Sequence, residues 1–135
     1  MNTSRWIGTI VVNPEGSILL GKYKDGFWGI LGGRPENDND QDMAIAMQKI
    51  FKKGKYAITN PQGMNIAFKK FLPQYGKHCV IYTTQLWNVR EDSSSPDLQI
   101  MDTAFFSLQQ LKNLKIFEMD KMILSEIIQN KLIHS

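Results

Sequence analysis

Apolar residues recur along this chain with two different periods, and the places where the period changes divide it into elements. Residues 7–12 (IGTIVV) form a β-branched run that ends at Asn13-Pro14-Glu15-Gly16. Proline second and glycine fourth suit a type I turn, so the run predicts a strand and a hairpin returning through 17–22. Ile18, Leu19 and Leu20 are apolar without interruption, as in a strand covered on both faces. Asp25-Gly26 marks another turn before a short strand at 27–31. From 41 to 53 the spacing changes: Met43, Ala44, Ala46, Met47, Ile50 and Phe51 recur at threes and fours, which predicts an amphipathic helix. Asp40 or Asn39 is its expected N-cap and Asp42 suits its positive start. Lysines crowd the other end, with Gly54 expected at the position just past it.

Beyond Pro61-Gln62-Gly63, strands are expected over 65–71 and 77–89, followed by a solvated loop at 91–96 (EDSSSP) and a last strand at 101–106. Ser107-Leu108-Gln109-Gln110 reads as a capping box opening a short helix. Met119, Met122, Ile123, Ile127 and Ile128 place a final helix over 117–132. Strands and helices alternate irregularly around a long antiparallel stretch, so the expected architecture is a mixed sheet flanked by helices.

Length and composition narrow this to one soluble α/β domain over 1–135, with 42% hydrophobic and 21% charged residues. No apolar run reaches the length of a membrane span, and residues 1–6 lack the apolar core of a signal peptide. Cys79 is the only cysteine, which rules out an internal disulfide and makes a reducing cytoplasm the expected compartment. It reads as a small buried hydrophobe; His78 beside it should point to the opposite face of the strand. A net charge of +3 permits an anionic ligand without demanding one. Lys49, Lys52, Lys53 and Lys55 gather in one place, and Glu36, Asp38, Asp40 and Asp42 in another. No glycine-rich phosphate loop of the GxGxxG or GKT/GKS kind is present.

Several segments in order resemble the Nudix hydrolase family over nearly the full chain. Ile18-Leu19-Leu20 followed by Lys22 resembles the strand before the family's box, and Trp28-Gly29-Ile30-Leu31-Gly32-Gly33 resembles its W-x-L-P-G-G approach, with Leu31 in place of proline. Phe105-Phe106-Ser107-Leu108 through Leu111 resembles the late WF-x-x-x-E-L segment. The box itself reads G-x5-E-x7-R-E-U-x-E-E-x-G-U, with U a bulky aliphatic residue. Setting its first glycine on Gly33 sets its last on Gly54, so a degenerate box runs over about 33–55. The resemblance implies an α/β/α sandwich with the box helix packed on a mixed sheet.

It also implies a metal site that these residues do not supply. The family's four acidic positions fall on Asn39, Gln48, Phe51 and Lys52, and its arginine on Met47. The helix positions, three and four apart, lie on one face. A hard divalent cation requires anionic oxygens, which an amide, a phenyl ring and an ammonium do not provide. The helix holds no acid from Met43 to Lys53; Asp92, Asp97 and Asp102 read as turn and strand-end residues.

Two functions remain compatible with the sequence. The first is a lapsed hydrolase that binds a nucleotide-type ligand or a partner through Lys22, Arg34, Lys49 and Lys52, with no metal cofactor. Trp28 or Phe27 would offer a stacking surface for a base, although Trp28 equally suits the core. The second is a divergent but active hydrolase of a nucleoside diphosphate linked to another moiety, such as a nucleotide sugar, requiring Mg or Mn. RNA and a homodimer are further compatible partners. Phe51 suits a dimer contact if exposed, or together with Met47 a plugged former active site if buried.

Overall fold

The structure, a computed structural model, describes residues 4–94 and 100–130. Its strands are β1 (Ser4–Val12), β2 (Ile18–Tyr23), β3 (Trp28–Gly29), β4 (Leu31–Gly33), β5 (Tyr56–Ile58), β6 (Asn65–Leu72), β7 (Lys77–Gln85), β8 (Val89–Glu91) and β9 (Ile100–Phe106). Its α-helices are α1 (Asp42–Gly54) and α2 (Glu118–Gln129). In the main sheet β1 runs parallel to β7 and antiparallel to β2 and β4, with β6 beyond β7 and β9 on β2. The sheet is therefore mixed.

The two-residue period of the strands sends alternate side chains to two cores. Ile7 and Val11 of β1, Leu19 of β2, and Val80 and Tyr82 of β7 face Ile45, Ala46 and Ile50 of α1. Ile10, Val12, Ile18, Leu20, Cys79 and Ile81 face Ile123, Leu124 and Ile127 of α2. The continuous apolar run at 18–20 is thus covered on both sides, giving an α/β/α sandwich. Cys79 is buried on the α2 side, where burial pushes its thiol pKa up to about 11. Trp28 packs against the same core, edge-on to Phe106 with ring centroids 4.8 Å apart. The hairpin forms as expected, with the Gly16 N–H donating to Asn13 O at 2.9 Å and Gly16 at φ 81°. The capping box is reciprocal: the Ser107 N–H donates to Gln110 Oε1 and the Gln110 N–H to Ser107 Oγ. It opens a short 3-10 helix at Gln110–Asn113.

Three local expectations need correction here. The strand foreseen over 77–89 stops at Gln85, because fully buried Asn88 turns the chain. Its amide donates to Asn60 O and Thr84 Oγ1 and accepts from Thr59 Oγ1 and the Asn60 N–H. The chain beyond it returns as β8, paired with β5 in a small second sheet. Neither Asp40 nor Asn39 caps α1; Gln41 occupies the cap position without a side-chain bond. Gly54 is the last residue of α1, and the left-handed position is Lys55, at φ 60°. Glycine is needed at 54 for space, since a Cβ there would lie 2.8 Å from Leu31 Cδ1.

Gly32-Gly33 lies within β4, where a Cβ on Gly32 would meet Ile7 O at 2.6 Å and Gly8 Cα at 2.8 Å. The last residues of the helix foreseen to 132, and Asp97, lie outside the described residues. Among the described residues no helix is long and apolar enough to cross a membrane.

Candidate functional site

The strand foreseen at 27–31 breaks at Ile30, where the chain leaves β2 to pair with β1. A break inside a sheet leaves backbone groups without ladder partners, and two side chains meet them here. The Ile30 N–H donates to Asp120 Oδ2 at 2.9 Å, and the Tyr23 hydroxyl donates to Ile30 O at 3.1 Å. Both side chains also line a cavity of about 310 Å³ at the C-terminal end of α1. Its aromatic wall is Trp6, Tyr23, Tyr75 and Phe117, and its charged groups are Lys53, Lys77 and Asp120. Tyr23 and Phe117 meet edge to face at 5.2 Å, and Phe27 stacks on the same Phe117 ring at 5.3 Å.

Asp120 is 4% exposed. Burial raises its carboxyl pKa to about 6, against the lowering effect of the Ile30 N–H and of Lys53 and Lys77. Gly29 makes room for it, since a Cβ there would lie 2.5 Å from Asp120 Oδ2. A carboxyl group balanced this close to neutral pH, on an aromatic cavity, either accepts or donates a hydrogen bond according to its proton.

Lysines continue from this cavity along α1. Lys53 Nζ donates to Gly32 O at 2.6 Å and lies 5.3 Å from the centre of the Tyr23 ring. A Cβ on Gly33 would sit 3.2 Å from Lys53 Nζ and 3.5 Å from Lys49 Cε, so both side chains cross this glycine. Lys49 is only 8% exposed, its stem occupying a position of the buried helix face. Lys52 pairs with Glu36, whose carboxyl is held below its usual pKa by Lys52 first and, less, by Lys49.

The structure thus brings together two of the four proposed ligand residues, Lys49 and Lys52. Arg34 is exposed directly after Gly33, and Lys22 is exposed on β2 outside the cavity lining, where its neighbour Tyr23 stands instead. Of the family's acidic positions, Asn39 is exposed in an Asx turn closed by Asn37. Gln48 is half-buried, with Oε1 lacking a hydrogen-bond partner. Phe51 is half-buried, while Met47 packs with the α1 core, and neither lines the cavity. Asp38, Asp40 and Asp42 lie at the other end of α1. There Arg5 donates to Asp38 O, Asp40 O and Asp42 Oδ1 at 2.7, 3.0 and 2.9 Å.

Among the described residues no three His, Cys, Asp or Glu side chains converge as metal donors. The amide, ring and ammonium at 48, 51 and 52 do not fit a hard divalent cation.

Sequence reasoning missed Asp120, Tyr23, Lys77 and Trp6, and noted Lys53 only as a member of a charged cluster. A signal for Asp120 was present: it precedes Ile123, Leu124 and Ile127 by three, four and seven residues, which puts an acid on the apolar face of a helix. Lys49 breaks the α1 pattern in the same way, three and four residues after Ala46 and Ile45.

No protein-family model and no curated protein sequence matches the chain. Solved structures do. MutT from Aliivibrio salmonicida and Vibrio cholerae superposes with a TM-score of 0.74 at 12% identity, covering 96% of this chain and 99% of that one. A Nudix hydrolase from Nitrosomonas europaea gives 0.73 at 8% identity over 96% and 91%. The Nudix domain of NrtR from Shewanella oneidensis, complexed with ADP ribose, gives 0.67 at 12% over 98% and 90%. With its two helices on opposite faces of a mixed sheet and α1 following the strand that ends at Gly33, the chain has the Nudix hydrolase fold.

Proposed function

We propose that this protein is a Nudix-fold module that binds a nucleotide-type ligand without a metal and does not hydrolyse it. The observation that carries the reading is the continuity between the aromatic cavity and the lysines of α1, joined at Gly32-Gly33. The aromatic wall suits a base or ribose, since a π-face accepts any base by stacking, worth roughly 1–3 kcal/mol where it is used. Asp120 suits an exocyclic N–H or ring nitrogen. Lys53, Lys49 and Lys52 suit phosphate oxygens, where ammonium groups act as point charges.

Lack of turnover follows from the same residues. Family chemistry needs a cation to polarise the diphosphate and activate water, and the only carboxylate of α1, Asp42, is paired with Arg5 at its far end. The Nudix domain of NrtR, similar in fold, is known in complex with ADP ribose, which makes that ligand the first to try.

The test is calorimetric titration with ADP ribose, ADP and a GDP-sugar, with magnesium and again with a chelator. Micromolar-range binding that survives the chelator, with intact ligand recovered, is the expected result. Turnover abolished by chelation would overturn the reading in favour of a divergent hydrolase. As a companion, the triple variant Q48E/F51E/K52E should gain divalent-metal binding. Its failure to do so would count against α1 as the equivalent of the family's metal helix.

A further inference from the structure

We propose that the Glu36 carboxylate is seated in a phosphate subsite formed by Lys52 and Lys49, so that an anionic ligand must displace it to bind. This rests on the reading of the cleft as a nucleotide site and adds an internal competitor to it.

Glu36 reaches α1 from the loop after Gly33, across sixteen residues of sequence, and makes an ion pair with Lys52. Lys49 lies close enough to act on the same carboxylate, and its stem runs over Gly33. The carboxylate is thus held by the Lys52 ammonium with the Lys49 ammonium nearby, the kind of paired cation a phosphate group takes. The subsite continues the row that begins at Lys53 in the aromatic cavity, where a ligand's second phosphate would fall if its nucleoside sat against the aromatic wall.

Magnitudes favour displacement. The pair is exposed, with side chains 35% and 53% accessible, so it is weak by the standard of surface ion pairs. A diphosphate brings more negative charge and more acceptors to the same lysines than one carboxylate does. The competitor then lowers apparent affinity by the fraction of time it holds the subsite. Removing it should raise affinity roughly two- to fivefold.

The experiment measures inorganic pyrophosphate and ADP ribose binding to the wild type, Glu36→Gln, Lys52→Gln and the double variant at fixed ionic strength. Glu36→Gln should bind both ligands about two- to fivefold more tightly, with an unchanged thermal midpoint. In the Lys52→Gln background, removing Glu36 should give no gain, because the competitor has lost its seat. That non-additivity is the signature a merely structural loop contact would not produce. Equal affinity in wild type and Glu36→Gln, with both binding, overturns the displacement proposal and leaves the nucleotide reading standing. Absence of binding in all four proteins overturns both.

Discussion

Two cavities of nearly equal size, about 300 and 310 Å³, lie at opposite ends of α1, and both contain basic and acidic groups. At the N-terminal end, both terminal nitrogens of Arg5 are spent on Asp38 O, Asp40 O and Asp42, and Lys70 on Glu126. Those charges fasten a loop and a sheet edge. At the C-terminal end, Lys53 donates to a neutral carbonyl, Lys49 is buried, and Asp120 is buried with its carboxyl raised to about 6. Burying a carboxyl group in this way costs stability, which the N-terminal end avoids. Equal volume and similar composition therefore do not make equal candidates; what separates the two ends is that one holds its charges in ion pairs near the surface and the other holds a buried acid beside an aromatic wall.

Asp120 gives the largest test of that difference. An acid whose folded pKa exceeds its unfolded value keeps in the native state a proton that the unfolded chain has lost. Stability therefore falls as pH rises from about 4 to about 6 and stays low above that. The gap between 3.8 and about 6 is worth on the order of 3 kcal/mol. Asp120→Asn keeps an acceptor for the Ile30 N–H and removes the ionisation. Urea midpoints should show the variant stabilised by up to that amount at pH 7 and matching the wild type near pH 3.5. Equal stability at both pH values would mean the carboxylate is well solvated, and the contrast between the cavities would weaken.

A reciprocal pair comes next. Lys53→Met should weaken ADP-ribose binding about tenfold or more, since a charged hydrogen bond is worth about 1.5–3 kcal/mol, while moving the thermal midpoint little. Arg5→Ala should do the opposite, costing about 1–2 kcal/mol of stability through its three lost contacts, with nucleotide affinity unchanged. Titration and melting of both variants check this. Loss of affinity in the arginine variant would shift the site to the wrong end of the helix.

The legible parts of this fold were those with a long period or local turn chemistry. Both helices, the first hairpin and the Ser107 capping box follow from spacing or from residues a few positions apart. The break at Ile30, the turn at Asn88 and the clamp by Arg5 depend on partners 90, 28 and about 35 residues away, which no local window contains. The candidate site divides the same way. Lys49 and Lys52 were visible because the box spacing located them, whereas Tyr23, Lys77 and Trp6 reach the cavity only through strand pairing. Asp120 and Lys49 were each marked by a charge where the helical period called for an apolar residue. A charge at a position the helical period reserves for an apolar residue is a contradiction visible in the sequence itself.

Gln48 offers the smallest and most discriminating effect. Its Oε1 is buried without a partner, on the same helix half as the lysines. A buried acceptor left unmet costs roughly 1–3 kcal/mol, so Gln48→Met, close in volume and lacking that acceptor, should raise stability by about 1 kcal/mol. Its nucleotide affinity should stay at the wild-type value, because the side chain is not among the cavity's walls. A stabilised variant with unchanged binding places the amide outside the proposed ligand site. A variant that loses affinity instead would bring Gln48 into the ligand's reach and extend the site by a further turn toward the N-terminal end of α1.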